Sequence, residues 1–238
     1  MKPIYEPKGR AKEYGDLALN IYTGCTHGCS YCYAPKVLKK TAKDFSSNVT
    51  ARKGILEATK KQLASGAYTG KLIHLCFTCD PYPIGIDTSI TREIIKEIKD
   101  VGANVQILTK GGFQAQRDFD LLDENDWIGT TITGAARSIV PPPAEPYCAR
   151  VDERLGLLQR AKKAGLNTWV SCEPVLNEYV IYDLINHATY IDFYKIGKLN
   201  YQLSGIDWAE FGRECERLCI ERGRNYYIKD DLRKEMKS

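Results

Sequence analysis

The chain has 238 residues, 43% of them hydrophobic, and a formal net charge of +4. This length supports one sizeable core and is short for two, so we expect a single domain spanning residues 1–238, with its core at about 17–223. No segment approaches the roughly 18 apolar residues of a membrane span, and the N-terminus lacks an apolar signal-peptide core. We therefore expect a cytosolic (cytoplasmic) protein with no membrane attachment.

Apolar, β-branched runs alternate with amphipathic segments along most of the chain, a pattern typical of parallel strands joined by crossover helices. Helical patterns occur at residues 49–65, 88–101, 114–123, 150–164, 177–187 and 207–222. The result is a predicted α/β fold of six strand-helix pairs, with a stiff proline loop at 141–143 on the side that commonly contacts substrate. The predicted strands are Leu17–Thr23, Lys71–Phe77, Asn104–Thr109, Trp127–Thr133, Thr168–Cys172 and Phe193–Ile196.

Three of the nine cysteines lie within eight residues, directly after the first predicted strand: Cys25, Cys29 and Cys32. In a reducing compartment, clustered thiols usually serve metals or catalysis. Three thiolates can hold a cubane iron-sulfur cluster and leave one iron without a protein ligand. The alternative is a structural zinc site completed by His27, Cys76 or Cys79, although zinc ligands usually come as two spaced pairs.

The segment CTHGCSYC, residues 25–32, matches the CxxxCxxC signature of the radical SAM superfamily. More narrowly, NIYTGCTHGCSYCYAP resembles the spore photoproduct lyase-like branch of DNA repair lyases and their relatives. Further matches are CDPYP, ILTK, TTITG and EPV after successive strands, so the resemblance covers residues 19 to about 200. It implies a partial (β/α)6 barrel of the radical SAM type.

The resemblance also implies the cofactors and the reaction. A 4Fe-4S cluster on Cys25, Cys29 and Cys32 would bind S-adenosylmethionine (SAM) through its open iron and cleave it reductively to a 5′-deoxyadenosyl radical. That radical would abstract a hydrogen from the substrate, while the protein positions SAM and substrate. Partners would then include SAM and an external electron donor of the flavodoxin or ferredoxin type.

By the same resemblance, Tyr31 lies beside the SAM adenine and Tyr33 shields the cluster, although core aromatics would look the same locally. Lys110 would reach the SAM carboxylate, where a cation is electrostatically sensible. The competing interpretation is that Lys110 is an ordinary surface lysine. Asp80 stands where the superfamily places an acidic segment that meets the SAM ammonium, but Asp before Pro is also a common turn starter.

Thr131 and Thr133 end the fourth predicted strand, where hydroxyl groups in this superfamily meet SAM. The competing interpretation is β-branched strand filler. Glu173 follows the fifth strand and is a candidate to bind cofactor or substrate. Lys195 and Lys198 would be unusual as buried charges without a partner, and we expect Glu173 to fill that role.

Cys76 and Cys79 are the candidate catalytic residues. The photoproduct lyases carry a hydrogen-donating cysteine three residues before an aspartate in this region, but Phe77 occupies that place here and Cys76 is one residue upstream. The two thiols are hydrogen donors, a redox-active CxxC pair, or inert buried groups. We expect Cys215 and Cys219 to face the core, and we assign no role to Cys148 or Cys172.

Residues 36–71 contain nine Lys or Arg against two Asp or Glu. The first functional hypothesis, which the resemblance implies, is a lyase-like enzyme acting on a nucleic-acid base, with this basic segment binding phosphates. The second is a radical SAM reaction on a peptide, an RNA nucleoside or a small molecule. The third is a non-catalytic iron-sulfur carrier or binding protein, which would need none of the SAM-facing positions Tyr31, Lys110 and Thr131.

Overall fold

The computed structural model describes residues 2–134, 144–200 and 202–237, so the proline run at 141–143 lies outside the described residues. Among these residues, eight strands form one open sheet in sequence order. The first pair is antiparallel and every later pair is parallel, which confirms an α/β partial barrel. The strands are β1 (Ile4–Tyr5), β2 (Leu17–Leu19), β3 (Leu72–Leu75), β4 (Asn104–Thr109), β5 (Trp127–Thr131), β6 (Asn167–Cys172), β7 (Phe193–Ile196) and β8 (Tyr226–Ile228).

The helices follow the apolar periodicity and capping chemistry of the sequence. In the helix at residues 89–100, the buried residues Thr91, Ile94, Ile95 and Ile98 have the spacing of one helical face. Nowhere in the described residues is a helix long and apolar enough to cross a membrane. The α-helices are α1 (Ala34–Val37), α2 (Ala42–Ser47), α3 (Ile55–Leu63), α4 (Ser89–Asp100), α5 (Val151–Lys163), α6 (Glu178–His187), α7 (Trp208–Glu221) and α8 (Asp230–Glu235), and two 3-10 helices span Gly9–Tyr14 and Gly112–Leu121.

The predicted helix at 49–65 is wrong at its start, and the first predicted strand is too long. Residues 50–52 pair with the chain just beyond β2: Thr23 N donates to Thr50 O (2.9 Å) and Arg52 N donates to Ile21 O (2.9 Å). A backbone that makes these extended contacts cannot also be helical, so α3 begins only at Ile55. This short pairing holds both ends of the segment that contains the three clustered cysteines.

Three further predictions differ from the structure. The strand predicted to reach Phe77 ends at Leu75, because Cys76 has a φ of 73°, which lies outside the β region of the backbone. The strand predicted to reach Thr133 ends at Thr131, and residues 112–121 form a 3-10 helix in place of the α-helix predicted at 114–123. The two short edge strands β1 and β8 were not predicted, since two or three residues carry too little periodicity to recognise.

The first 3-10 helix covers the open side of the sheet. Lys195 Nζ, on β7, donates to the carbonyls of Glu13 (2.9 Å) and Tyr14 (3.0 Å). Asp230 N, at the start of α8, donates to Glu13 Oε1 (2.8 Å). Polar contacts thus bring an N-terminal segment against the last strands and complete one wall of the barrel.

The packing of β5 against β6 depends on a glycine. A Cβ at Gly129 would lie 2.2 Å from Nε1 of Trp169. That indole is buried and donates to the Ile107 carbonyl at 3.0 Å, so it cannot move aside without losing a buried hydrogen bond.

We expect Gly129→Ala to lower the free energy of unfolding by roughly 1–3 kcal/mol through this overlap. Urea denaturation measures the change. The matched control is Gly205→Ala, because a Cβ there meets nothing within 4 Å. Equal stability of the two variants would contradict this account of the packing.

Candidate active site

A cavity of about 370 Å³ opens at the carboxyl ends of the parallel strands. Within the described part of the chain, its lining includes eleven of the twelve predicted site residues. Thr133 is the exception: it is buried beyond the lining, and its carbonyl accepts a hydrogen bond from Leu176 N (2.7 Å). The eleven are Cys25, Cys29, Tyr31, Cys32, Tyr33, Cys76, Cys79, Asp80, Lys110, Thr131 and Glu173.

The cysteine loop is shaped by two glycines. A Cβ at Gly24 would lie 2.0 Å from the Phe45 carbonyl oxygen, so only glycine fits where the loop passes α2. Gly28 has a φ of 63°, in the left-handed region that glycine tolerates, and a Cβ there would press on the Tyr147 ring. The loop therefore turns tightly and presents its thiols to the cavity.

The thiols of Cys25, Cys29 and Cys32 line the cavity without converging on one point. Among the residues that the structure describes, no three His, Cys, Asp or Glu side chains are grouped to hold a single metal ion. Their shared cavity and thiolate chemistry nevertheless fit an iron-sulfur cluster, which is larger than one ion and takes cysteine ligands. Burial raises the pKa of Cys25 and of Cys32, whereas a hydrogen bond with Cys148 lowers the pKa of Cys29 to about 6.

Residues 144–149 pass over the cysteine loop and form what we call the strap. Ser30 N donates to the Ala144 carbonyl (3.0 Å), Tyr147 N to the His27 carbonyl (3.3 Å), and Ala149 N to the Lys110 carbonyl (2.9 Å). These bonds connect the strap to two separate walls of the cavity.

A buried ion pair holds the strap in place. Arg154 Nη2 lies 2.6 Å from Glu145 Oε2, with side-chain exposures of 3% and 5%. The same guanidinium donates to the carbonyls of Ala149 (3.0 Å) and Thr131 (2.8 Å). Because a lone buried charge is costly, the Arg154 and Glu145 side chains hold each other and the strap in one arrangement.

Lys110 supplies a positive charge beside the thiols. Its Nζ lies 5.5 Å from the centroid of the Tyr31 ring, and the Tyr31 hydroxyl donates to Glu145. Burial alone would lower the pKa of Lys110, but the nearby Cys29 sulfur and Glu145 carboxylate raise it above its usual value. This end of the cavity is therefore suited to hold negative charge, such as thiolates or a carboxylate.

Asp80 connects the end of β3 to the end of β4. Its Oδ1 accepts from Thr109 Oγ1 (2.6 Å) and from Tyr82 N (2.8 Å), and its Oδ2 accepts from Lys110 N (2.8 Å). Oδ2 also lies 3.4 Å from Nδ1 of His27, whose pKa is lowered by burial. Asp80 is thus the starter of the turn through Pro81, while contact with a SAM ammonium stays a prediction.

Cys76 and Cys79 lie deeper in the cavity. The positive φ of Cys76 is strained for a residue with a side chain. Burial raises the pKa of Cys76 well above its usual value, so its sulfur keeps a proton. Burial also disfavours the Cys79 thiolate, but hydrogen bonds from the Cys76 thiol and from Tyr22 N (3.4 Å) outweigh it and lower the pKa of Cys79.

The far end of the cavity is polar, and here one prediction is wrong. Glu173 does not pair with Lys195 or Lys198: it accepts from Lys229, while Lys198 pairs with Glu235 and Lys195 donates to backbone carbonyls. The Tyr14 hydroxyl also donates to Glu173 Oε2 (3.1 Å). Lys229 directly follows β8, a strand too short to predict, so its proximity to Glu173 was not foreseen.

Sequence reasoning missed five residues in and around this site: Cys148, Glu145, Arg154, Tyr14 and Lys229. Cys148 Sγ lies 3.6 Å from Cys29 Sγ although 119 positions separate them. The only signal for it in the sequence was one more cysteine after a proline run. By contrast, Cys215 and Cys219 are fully buried on α7, as predicted.

A parallel α/β partial barrel with a cavity at the carboxyl ends of its strands, lined by thiols, charged side chains and aromatic rings, is typical of enzymes that bind a cofactor there. The model of the radical SAM superfamily matches residues 19–193. The chain therefore belongs to that superfamily and is a radical SAM enzyme. This membership implies SAM and an iron-sulfur cluster as its cofactors.

Other proteins resemble this chain over most of its length. An uncharacterised protein of Methanocaldococcus jannaschii is 27% identical over 209 residues, which are 85% of this chain and 76% of that protein. A mutant of spore photoproduct lyase has a TM-score of 0.70 at 14% identity, covering 94% of this chain and 78% of the other. Another mutant, with bound AdoMet and dinucleoside spore photoproduct, has a TM-score of 0.62 at 16% identity, covering 89% and 63%. At these identities the likeness to the lyases shows the fold.

Burial and the nearby Lys229 cation lower the pKa of Lys195 from 10.5 to about 8. Between these values the unfolded chain binds more protons than the folded one, so the contribution of Lys195 to the free energy of unfolding rises with pH. Between about pH 7.5 and 9.5, we expect the free energy of unfolding of wild type to rise by about 1–2 kcal/mol relative to that of Lys195→Met. Urea unfolding at several pH values measures this change.

The control is Lys53→Met, because Lys53 is exposed. Its free energy of unfolding should differ from that of wild type by the same amount over this pH range. If the free energies of unfolding of wild type and Lys195→Met differ by a constant amount at every pH, the pKa of Lys195 is not lowered by folding.

Proposed function

We propose that this chain holds a 4Fe-4S cluster on Cys25, Cys29 and Cys32, binds SAM beside it, and abstracts a hydrogen atom from a nucleic-acid base. The observation that carries the proposal is the common cavity, which is lined by the three cysteines and by four of the five residues expected to contact SAM. When bound, the cluster supplies the electron that cleaves SAM to a 5′-deoxyadenosyl radical. An external flavodoxin- or ferredoxin-type protein would provide that electron.

We assign the SAM-binding roles from position and charge. The buried Lys110 cation would bind the SAM carboxylate, since charge-assisted hydrogen bonds are strong where water is excluded. Tyr31 lies against Lys110 and would border the adenine. Thr131 and Asp80 complete this wall, and Asp80 acts mainly by holding the Lys110 backbone. Tyr33, 48% exposed and donating to the Phe77 carbonyl (2.7 Å), would cover the cavity mouth.

Cys76 is the better of the two candidate hydrogen donors. It lines the cavity and retains its proton, so it has a hydrogen atom to give to a substrate radical. The Cys79 sulfur instead accepts a hydrogen bond from Tyr22 N (3.4 Å), and hydrogen bonding lowers its pKa, so Cys79 is less suited to donate a hydrogen atom. Glu173, held by Lys229 and Tyr14, would contact the substrate at the polar end.

The cluster assignment predicts that Cys29→Ala loses SAM cleavage, because it removes one of three ligands. The measurement is anaerobic reconstitution with iron and sulfide, then addition of SAM and dithionite, with 5′-deoxyadenosine quantified by chromatography. Cys219→Ala, buried on α7 away from the cavity, should retain both iron and product.

Full cleavage by Cys29→Ala would contradict the cluster assignment. A wild-type protein that holds a full cluster but yields no 5′-deoxyadenosine would instead favour the carrier alternative.

The nucleic-acid part of the proposal rests on charge. Lys36, Lys39 and Lys43 are exposed on and after α1, within about a dozen residues of the last cluster cysteine. Exposed lysines attract phosphates without reading sequence. In contrast, Arg52 donates to the Tyr22 carbonyl (3.0 Å), so it stabilises the cysteine loop and is not counted as a phosphate contact.

We expect single-stranded DNA to bind at low salt, measured by fluorescence anisotropy at several salt concentrations. Replacing Lys36, Lys39 and Lys43 together by Gln should reduce the slope of log K against log salt by about 2 to 3. A control in which Lys96, Lys163 and Lys237, exposed elsewhere, are replaced by Gln should keep the wild-type slope.

Absence of DNA binding by wild type would remove the nucleic-acid substrate and favour a peptide, an RNA nucleoside or a small molecule.

A further inference from the structure

The thiol of Cys148 lies against the cysteine loop and has no role in the proposed function. Its Sγ lies 3.6 Å from Cys29 Sγ, within hydrogen-bonding distance for two sulfurs. Both neighbours of Cys148 are fixed through their backbone: Tyr147 N donates to the His27 carbonyl and Ala149 N to the Lys110 carbonyl. The strap therefore places this sulfur from both sides.

The supports of the strap are themselves buried. Arg154 binds the Ala149 carbonyl and pairs with Glu145, so both ends of the strap share one guanidinium. A Cβ at Gly112 would lie 2.6 Å from the Ala149 Cβ, so glycine is needed for the strap to lie this close to the chain after β4. Displacing Cys148 from Cys29 would disturb these contacts together.

The direction of the hydrogen bond follows from the ligand role of Cys29. A cysteine that binds iron does so as a thiolate and has no S–H left to donate. The remaining hydrogen in the pair is then that of Cys148, whose S–H is a weak donor. Hydrogen bonds to cluster sulfurs are among the factors that set the reduction potential of iron-sulfur proteins.

We propose that Cys148 is a positioning residue that donates its S–H to the Cys29 sulfur and thereby raises the reduction potential of the cluster. This inference rests on the proposed cluster at Cys25, Cys29 and Cys32. Reduction adds negative charge to the cluster and its ligand sulfurs, so a donor at Cys29 stabilises the reduced state more than the oxidised one. The nearby Lys110 cation acts on Cys29 in the same sense.

The test is the midpoint potential of the reconstituted protein, without SAM, from an anaerobic titration followed by EPR. Cys148→Ala removes the donor, and we expect the ratio of reduced to oxidised cluster at a fixed potential to fall between about two- and tenfold. A tenfold fall corresponds to about 59 mV for a one-electron couple. Cys148→Ser keeps a donor and should restore the wild-type potential or exceed it, and Cys219→Ala should leave it unchanged.

Three results would overturn the proposal. The first is an unchanged potential in Cys148→Ala with a full cluster. The second is a lowered potential in Cys148→Ser, which also decides the question if the alanine variant loads poorly. The third is loss of the cluster from both variants, which would make Cys148 a ligand. A wild-type protein that loads no cluster would instead contradict the proposed function itself.

Discussion

The parallel register of the strands is the constraint on which the site depends. In this sheet Thr109 of β4 is level with Thr130 of β5, Thr131 with Ser171 of β6, and Ile196 of β7 with Ile228 of β8. The residues that follow these strands therefore emerge along one edge. That is how Lys110, Glu173 and Lys229, far apart in sequence, come to line one cavity.

Buried charge is then distributed along this edge in two groups. At the cysteine end, Arg154 pairs with Glu145, and Lys110 lies near that carboxylate and the Cys29 sulfur. At the other end, Lys229 pairs with Glu173. Buried ion pairs add little net stability, but removing one member is costly, so each group specifies an arrangement more than it stabilises the fold. The first group leaves Lys110 available for an anionic ligand, which a SAM carboxylate would be.

Most of the sheet could be predicted because each central strand has four to six residues, mostly apolar or β-branched, and is followed by a recognisable helical pattern. Positions directly after strands could also be predicted, since the fold class alone places Lys110 and Glu173 at the mouth. The pairing of Glu173 with Lys229 could not be predicted. It depends on β8, three residues long, and on a 3-10 helix near the N-terminus, and neither leaves a periodic pattern. Cys148 was equally hidden, because its contact with Cys29 depends on a strap held by tertiary contacts and not on spacing.

The strap places the Cys148 sulfur beside the cysteine loop, a contact that the CxxxCxxC spacing alone does not predict. A loop of three cysteines specifies which atoms hold the iron, but the electron affinity of a cluster depends on what surrounds those sulfurs. Here the surroundings come from the other half of the chain, through Arg154 and its partner Glu145. With the proposed cluster bound, substitutions at the strap would therefore alter how readily it is reduced while leaving the three proposed ligands in place. A radical enzyme limited by electron supply would then change its rate without any change in the residues that contact its substrate.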